Sequence, residues 1–185
     1  MGYLRRIREG SVLMGRLIDD LLKLSRVSRA TLARERVDLS EMAELIFAEL
    51  RRAEPERLVD VVVAPKLVVQ GDAAILRILL ENLLGNAWKY TRRKPTRAHI
   101  ELGSAVSAGE RVFFVRDDGA GFDMRYAGNL FKPFNRLHKA GEFEGTGIGL
   151  ATVHRIVGRY GGRVWGEAKV GEGAVFYFTL PGAKP

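Results

Sequence analysis

The chain has 185 residues, 46% of them hydrophobic and 28% charged, with no cysteine and a formal charge of +8. That length holds one full domain and a short appendage, and the balance is that of a soluble globular protein. The missing cysteines exclude a disulfide framework and a thiolate-ligated metal, and the lack of any apolar run near ~20 residues excludes a membrane span in this segment.

The excess of positive charge sits mainly near the start, at Arg5, Arg6, Arg8, Arg16, Lys23, Arg26 and Arg29. All but Arg29, which directly follows it, share one predicted helix over residues 3–28, and they lack interleaved aromatics, so they read as a solvated face, not a nucleic-acid surface. Leu4, Ile7, Met14, Ile18 and Leu21 recur along that helix at helical spacing, with Leu17, Leu22 and Leu24 widening the stripe. Such a face calls for a partner helix. Residues 29–37 read as a connector.

A capping box, with Asp38 as N-cap and Glu41 three residues on, opens a second helix reaching about Arg52 before Pro55. Two short strands follow over 59–64 and 67–70. A third helix runs from Asp72 to about Tyr90. Strand patterns return at 98–106 and 111–116, and residues 119–149 are glycine-rich and irregular. A fourth helix spans 148–160, and strands at 163–169 and 174–180 close the chain as a hairpin around Gly171 and Gly173. Helices and strands alternate without a regular βαβ rhythm, which predicts an α+β fold: a two-layer sandwich of a mixed sheet covered by helices, preceded by one long amphipathic helix.

Four local features carry chemistry. Asn82, Asn86 and Lys89 fall along one helix face, which offers amide oxygens to a hard cation and an ammonium to phosphate. Asp117-Asp118-Gly119-Ala120-Gly121 ends a strand, where a carboxylate can accept from an exocyclic amine and glycines permit close approach. Leu130-Phe131-Lys132-Pro133-Phe134-Asn135-Arg136 sets two aromatics in a loop. Gly145-Thr146-Gly147-Ile148-Gly149-Leu150 runs into a helix and offers free N–H groups to an anion; it lacks the lysine of a Walker loop and the preceding strand of a Rossmann fingerprint. Each alone also has an ordinary structural reading: a buried helix, a tight turn, core phenylalanines, a flexible loop.

Taken together and in this order, the four resemble the asparagine, first glycine, phenylalanine and second glycine boxes of sensor histidine kinases. These belong to the superfamily that also holds gyrase-type topoisomerases and mismatch-repair ATPases, and the run from Gly145 to Gly162 is most similar to the phytochrome-related group. The first helix, with Met14 to Ser25, resembles the second helix of the kinase dimerisation hairpin. The resemblance implies a Bergerat-type ATP-binding fold over residues 38–185, a linker at 31–37, and part of the hairpin at 1–30.

The resemblance also implies roles. Asp117 would bind the adenine amine and Tyr90 would line the base. Asn86, supported by Asn82, would hold Mg²⁺, and Lys89 and Arg136 would meet the phosphates of ATP. Gly119, Gly121 and Phe131 would shape the nucleotide site, Gly145, Thr146, Gly147, Gly149 and Leu150 would wrap the phosphate chain, and Thr179 stands as a lesser candidate at the adenine. Residues 124–146 would form a mobile lid pinned by Phe131 and Phe134. Asp118 departs from the asparagine usual there, which implies tuning of the base site. None of His99, His138 and His154 has the acidic and proline neighbours of an acceptor, so the phosphate-accepting histidine is expected on a helix preceding Tyr3. His138, in the lid, would at most donate a hydrogen bond.

The resemblance thus implies transfer of the ATP γ-phosphate to a histidine on an acceptor hairpin, for relay to a response regulator, by a cytoplasmic segment that dimerises through its first helix and contacts neither nucleic acid nor membrane. The competing readings are an ATPase of the same superfamily, which would need a glutamate where Asn82 stands, and a nucleotide-binding module without catalysis. Glu81 is adjacent, but one helical residue turns it by ~100°.

Overall fold

The computed structural model describes residues 2–29, 31–94, 96–137 and 142–181. Helix α1 (Gly2–Arg29) leads into a strand, β1 (Glu35–Asp38), that takes the last residues of the expected connector. Asp38 ends the strand in extended conformation, and its carboxylate accepts from Ser40 N at 2.9 Å, which starts α2 (Leu39–Ala53). β2 (Val59–Val63) and β3 (Val68–Gly71) are neighbours in sequence but go to different sheets. Asp72 caps α3 (Ala73–Tyr90) through Ile75 N, and its other oxygen accepts from Ala33 N, tying the connector to the domain. β4 (Ala98–Ser107) and β5 (Glu110–Asp117) form a hairpin, α4 (Gly149–Arg159) follows the glycine-rich stretch, and β6 (Val164–Lys169) with β7 (Gly173–Thr179) close the chain.

The five-stranded sheet runs β2-β4-β5-β7-β6, with β2 parallel to β4 and every other pair antiparallel. β1 and β3 make a separate antiparallel pair in which Val37 faces Val69. This is the mixed sheet with helices on one face that the alternation of elements predicts. Alternate residues of the central strands, among them Ile100, Leu102, Phe113, Val115, Phe176 and Phe178, point at the helices. α3 lies between α2, α4 and the sheet, so its apolar surface wraps most of the way round: Leu76, Leu79, Leu80, Leu83 and Leu84 are all fully buried.

Among the described residues no helix layer covers the opposite face. There Trp165 stacks on Tyr177 at 5.2 Å and Tyr177 leans on Phe114 at 6.4 Å. The Arg163 and Arg116 guanidiniums lie over the outer rings, Trp165 and Phe114, so the row is covered by its own side chains. Gly103 stands opposite Phe114, and a Cβ there would come within 2.6 Å of the ring.

α1 meets the domain along α4. Val27 near its end is fully buried, and Arg159 of α4 donates to the Val27 carbonyl. Earlier turns leave Ile7, Val12, Met14, Ile18 and Leu22 exposed. No helix among the described residues is long and apolar enough to cross a membrane. The contrast between α3 and α1 is testable by urea denaturation. Leu80→Ala should cost about 2–5 kcal/mol, while Ile18→Ala, measured at dilutions where the chain is monomeric, should stay within about 0.5 kcal/mol of the parent.

Candidate nucleotide site

The C-terminal half of α3 supplies the floor. Asn82, Asn86 and Lys89 lie along one face, as their spacing requires, and line a cavity of about 340 Å³. Asn82 Nδ2 donates to the Ile78 carbonyl at 2.8 Å, which turns Oδ1 toward the start of α4. Only glycine fits opposite: a Cβ at Gly149 would lie 2.5 Å from that oxygen. The α4 N-cap is Ile148, which has no side-chain acceptor, so the first N–H groups of the helix face the same cavity uncapped. Gly145, Thr146, Gly147 and Leu150 complete this wall with Gly149.

A second, smaller cavity adjoins the first and shares Tyr90, Leu130, Asn135, Arg136 and Leu150 with it. Asp117 lies at its base among Phe122, Ala174 and Phe176. Gly121, which also lines it, has φ +59, and a Cβ there would lie 2.0 Å from the Lys169 carbonyl, so the turn after Asp117 has no room for a side chain. The small cavity is mainly apolar around one carboxylate, with Asn129, Asn135 and Arg136 at its rim, and the large one is lined by cations, amides and N–H groups, with Asp19, Asp20 and Glu144 on one side. Together they form one cleft suited to a flat, amine-bearing ring joined to a polyanion.

Burial sets the electrostatics. Asp117 is 4% exposed, and burial pushes its carboxyl up to about 7; the Gly119 N–H, donating at 2.9 Å, opposes this and the Asp118 charge adds to it. Burial lowers the Lys89 ammonium to about 8, with a smaller push from Arg136. The Lys89 ammonium lies 4.2 Å from the centre of the Tyr90 ring. An anion between Lys89 and Arg136 would relieve the repulsion between them.

Twelve of the residues expected at a nucleotide site line the two cavities: Asn82, Asn86, Lys89, Tyr90, Asp117, Gly121, Arg136, Gly145, Thr146, Gly147, Gly149 and Leu150. Gly119 and Phe131 stand outside the walls. Gly119 is packed beneath the Tyr90 carbonyl, and Phe131 lies against His154 at 5.8 Å. Phe134, expected to pin the lid, is instead 60% exposed, in a left-handed conformation. Phe143 holds that stretch, its ring edge-on to Tyr90 at 4.9 Å. Asp118 points away from the base pocket, accepting from His99 N at 2.9 Å and pairing with Lys94. Thr179 is buried behind β6, accepting from Arg163 N, and lines neither cavity. Gly141 and His138 lie outside the described residues.

Sequence reasoning missed the contribution of α1. Arg16, Asp19 and Asp20 form one side of the larger cavity; Arg16 pairs with Glu144 at 2.9 Å and Asp20 accepts from Thr146 Oγ1 at 2.5 Å. Two adjacent acids on a basic helix were the available signal, but nothing local tells which way a helix turns when it docks.

A family model described as the histidine kinase-, DNA gyrase B- and HSP90-like ATPase matches residues 71–184. The chain is 35% identical to cyanobacterial phytochrome A of Nostoc sp., over 94% of this chain and 22% of that protein. It is also 35% identical to the methanogenesis regulatory histidine kinase FilI of Methanothrix harundinacea, over 96% of this chain and 20% of that protein. The chain therefore spans about a fifth of the length of these curated relatives. Among solved structures it is similar to full-length ShkA in complex with AMPPNP (TM-score 0.75, 26% identity, 99% of this chain and 39% of that one). It is also similar to the mycobacterial sensor histidine kinase MprB (TM-score 0.67, 25% identity, 83% of this chain and 99% of that one).

The raised Asp117 carboxyl has a stability consequence. Between its ordinary value of 3.8 and about 7 the folded chain keeps a proton that the unfolded chain has released, so stability falls as pH rises through that window. Asp117→Asn removes the buried charge. Its stability relative to the parent should therefore rise between pH 4 and pH 8, by an amount on the order of a few kcal/mol, measured by urea denaturation at each pH.

Proposed function

Because the chain belongs to the family of histidine kinase-, DNA gyrase B- and HSP90-like ATPases, we propose that it is the ATP-binding catalytic domain of a sensor histidine kinase. In this reading residues 38–185 bind ATP, residues 31–37 link, and residues 1–30 are one helix of a dimerisation hairpin. The γ-phosphoryl group passes to a histidine on an acceptor helix outside this chain, and from there to a response regulator. The observation that supports it most is the continuity of the cleft: a buried carboxylate among aromatics at one end, and at the other Asn82, Asn86, Lys89 and Arg136 before an uncapped helix start.

Each group then has a task. Asp117 accepts a hydrogen bond from the exocyclic amine of adenine, and the aromatic and aliphatic walls exclude water from the ring. The N–H groups from Gly145 into α4 hold the phosphate chain, while Lys89 and Arg136 draw charge toward the γ-phosphate. The Asn82 and Asn86 amides are hard oxygen donors suited to Mg²⁺, and the hydrogen bond that holds Asn82 Nδ2 on Ile78 leaves its oxygen available for that purpose. A bound Mg²⁺ would neutralise phosphate charge. In the transfer the bond from the γ-phosphorus to the leaving ADP oxygen breaks as one to an imidazole nitrogen forms, and the protein contributes position and charge.

An ATPase reading is less favoured. Glu81, beside Asn82 in sequence, accepts from Arg77 Nε at 2.8 Å, and Arg77 pairs in turn with Glu49 of α2; Glu144, which lines the larger cavity, is paired with Arg16 at 2.9 Å. Either glutamate would have to leave its ion pair to act as a water-activating base.

Asp117→Asn replaces one of two acceptor oxygens by a donor that faces the adenine amine. ATP affinity, read by calorimetry, should fall by about 1–3 kcal/mol; equal affinity in mutant and parent would refute the adenine assignment. For α1, the exposed apolar residues predict concentration-dependent dimers in sedimentation velocity, and Ile18→Glu with Leu22→Glu should leave only monomer.

A further inference from the structure

We propose that Phe143 is a positioning residue through which residues 143–146 set the two phosphate-facing cations, Lys89 and Arg136; this rests on the nucleotide-binding reading above. Phe143 touches both cations through different parts of itself. Its ring packs edge-on against Tyr90 at 4.9 Å, and the Tyr90 face carries the Lys89 ammonium at 4.2 Å. Its carbonyl accepts from the Arg136 guanidinium. Two residues on, Gly145 approaches so closely that a Cβ there would lie 3.3 Å from Lys89 Nζ.

The physical need is plain. A lysine ends in a point charge on a flexible four-carbon stem, so holding it costs side-chain entropy unless the protein confines it. Here the Tyr90 ring and the Gly145 backbone confine it from two sides, and the ring keeps its orientation because Phe143 meets it in the favoured edge-to-face arrangement. The Arg93 guanidinium lies over the Phe143 ring at 5.2 Å, which adds a second hold on the same side chain. Phe143 lines neither cavity, so it acts on bound phosphate through Lys89 and Arg136 and not by touching the ligand.

Lys89 and Arg136 carry the effect to the phosphates, while Tyr90 also lines the small cavity, so the experiment compares the size of the loss for ATP with that for adenosine. ATP and adenosine are titrated into the whole chain, into Phe143→Ala, and into Phe143→Tyr, which keeps the aromatic edge. Phe143→Ala should weaken ATP about tenfold, the scale of one partly desolvated cation–π contact. Adenosine affinity should fall by clearly less than ATP affinity, and Phe143→Tyr should restore ATP binding. Equal ATP affinity in Phe143→Ala and the parent would overturn the proposal, as would a matching loss for adenosine, which would mark general loosening of the domain. A failure of the parent itself to bind ATP would instead reject the nucleotide reading on which the proposal rests.

Discussion

The leucines of α3 from Leu76 to Leu84 are sealed between α2, α4 and the sheet, and that packing determines where Asn82, Asn86 and Lys89 point. A helix buried on most of its circumference has little freedom to rotate, since burying one leucine is worth ~1.5–3 kcal/mol and any rotation would expose several. The polar residues therefore emerge in the single sector left open, where α4 begins. Contact between α3 and α4 there is close enough that Asn82 Oδ1 leaves space only for a glycine at Gly149. Core packing and site geometry are thus one constraint: the apolar face holds the amides against the helix N-terminus that would receive an anion.

The charge pattern of the cleft follows from the same arrangement. Lys89 and Arg136 face an enclosed space, which lowers the Lys89 ammonium and prepares both for a polyanion. At the other end Asp117 is desolvated beneath aromatic walls, so its charge is costly until a donor from a ligand meets it. The domain stores unfavourable electrostatics at both ends of the cleft, and a nucleotide of the right length offsets both. Arg16, Asp19 and Asp20 of α1 stand at the phosphate end, where the Asp20 bond to Thr146 brings negative charge close to the loop that would hold phosphate.

Much of this was legible in the sequence because it is local. Helix α3 announced itself by its periodicity and by Asp72, and the two glycine-rich stretches lay where a strand ends and a helix starts. Twelve of the residues picked from these motifs face the cleft. The losses were long-range. β1 is only four residues and exists because β3 offers it a partner, so the connector carried no strand pattern of its own. β2 and β3 are separated by a short turn yet part company, because β2 finds β4 at the sheet edge. Phe134 looked like an anchor by composition, but its left-handed backbone turns it to solvent, and Phe143, in a segment with little pattern, takes the contact on Tyr90. The α1 contribution depends on how one helix docks, which no spacing within it reveals.

The central claim is that this cleft positions ATP for transfer to a histidine carried elsewhere. Incubation of the chain with ATP labelled on the γ-phosphate, with and without a separate helical fragment bearing an acceptor histidine, tests it most directly. The account predicts acid-labile label on the added fragment, dependent on divalent cation, and none on the chain itself. Acid-labile label on His99, His138 or His154, or release of inorganic phosphate with no label on the fragment, would contradict it.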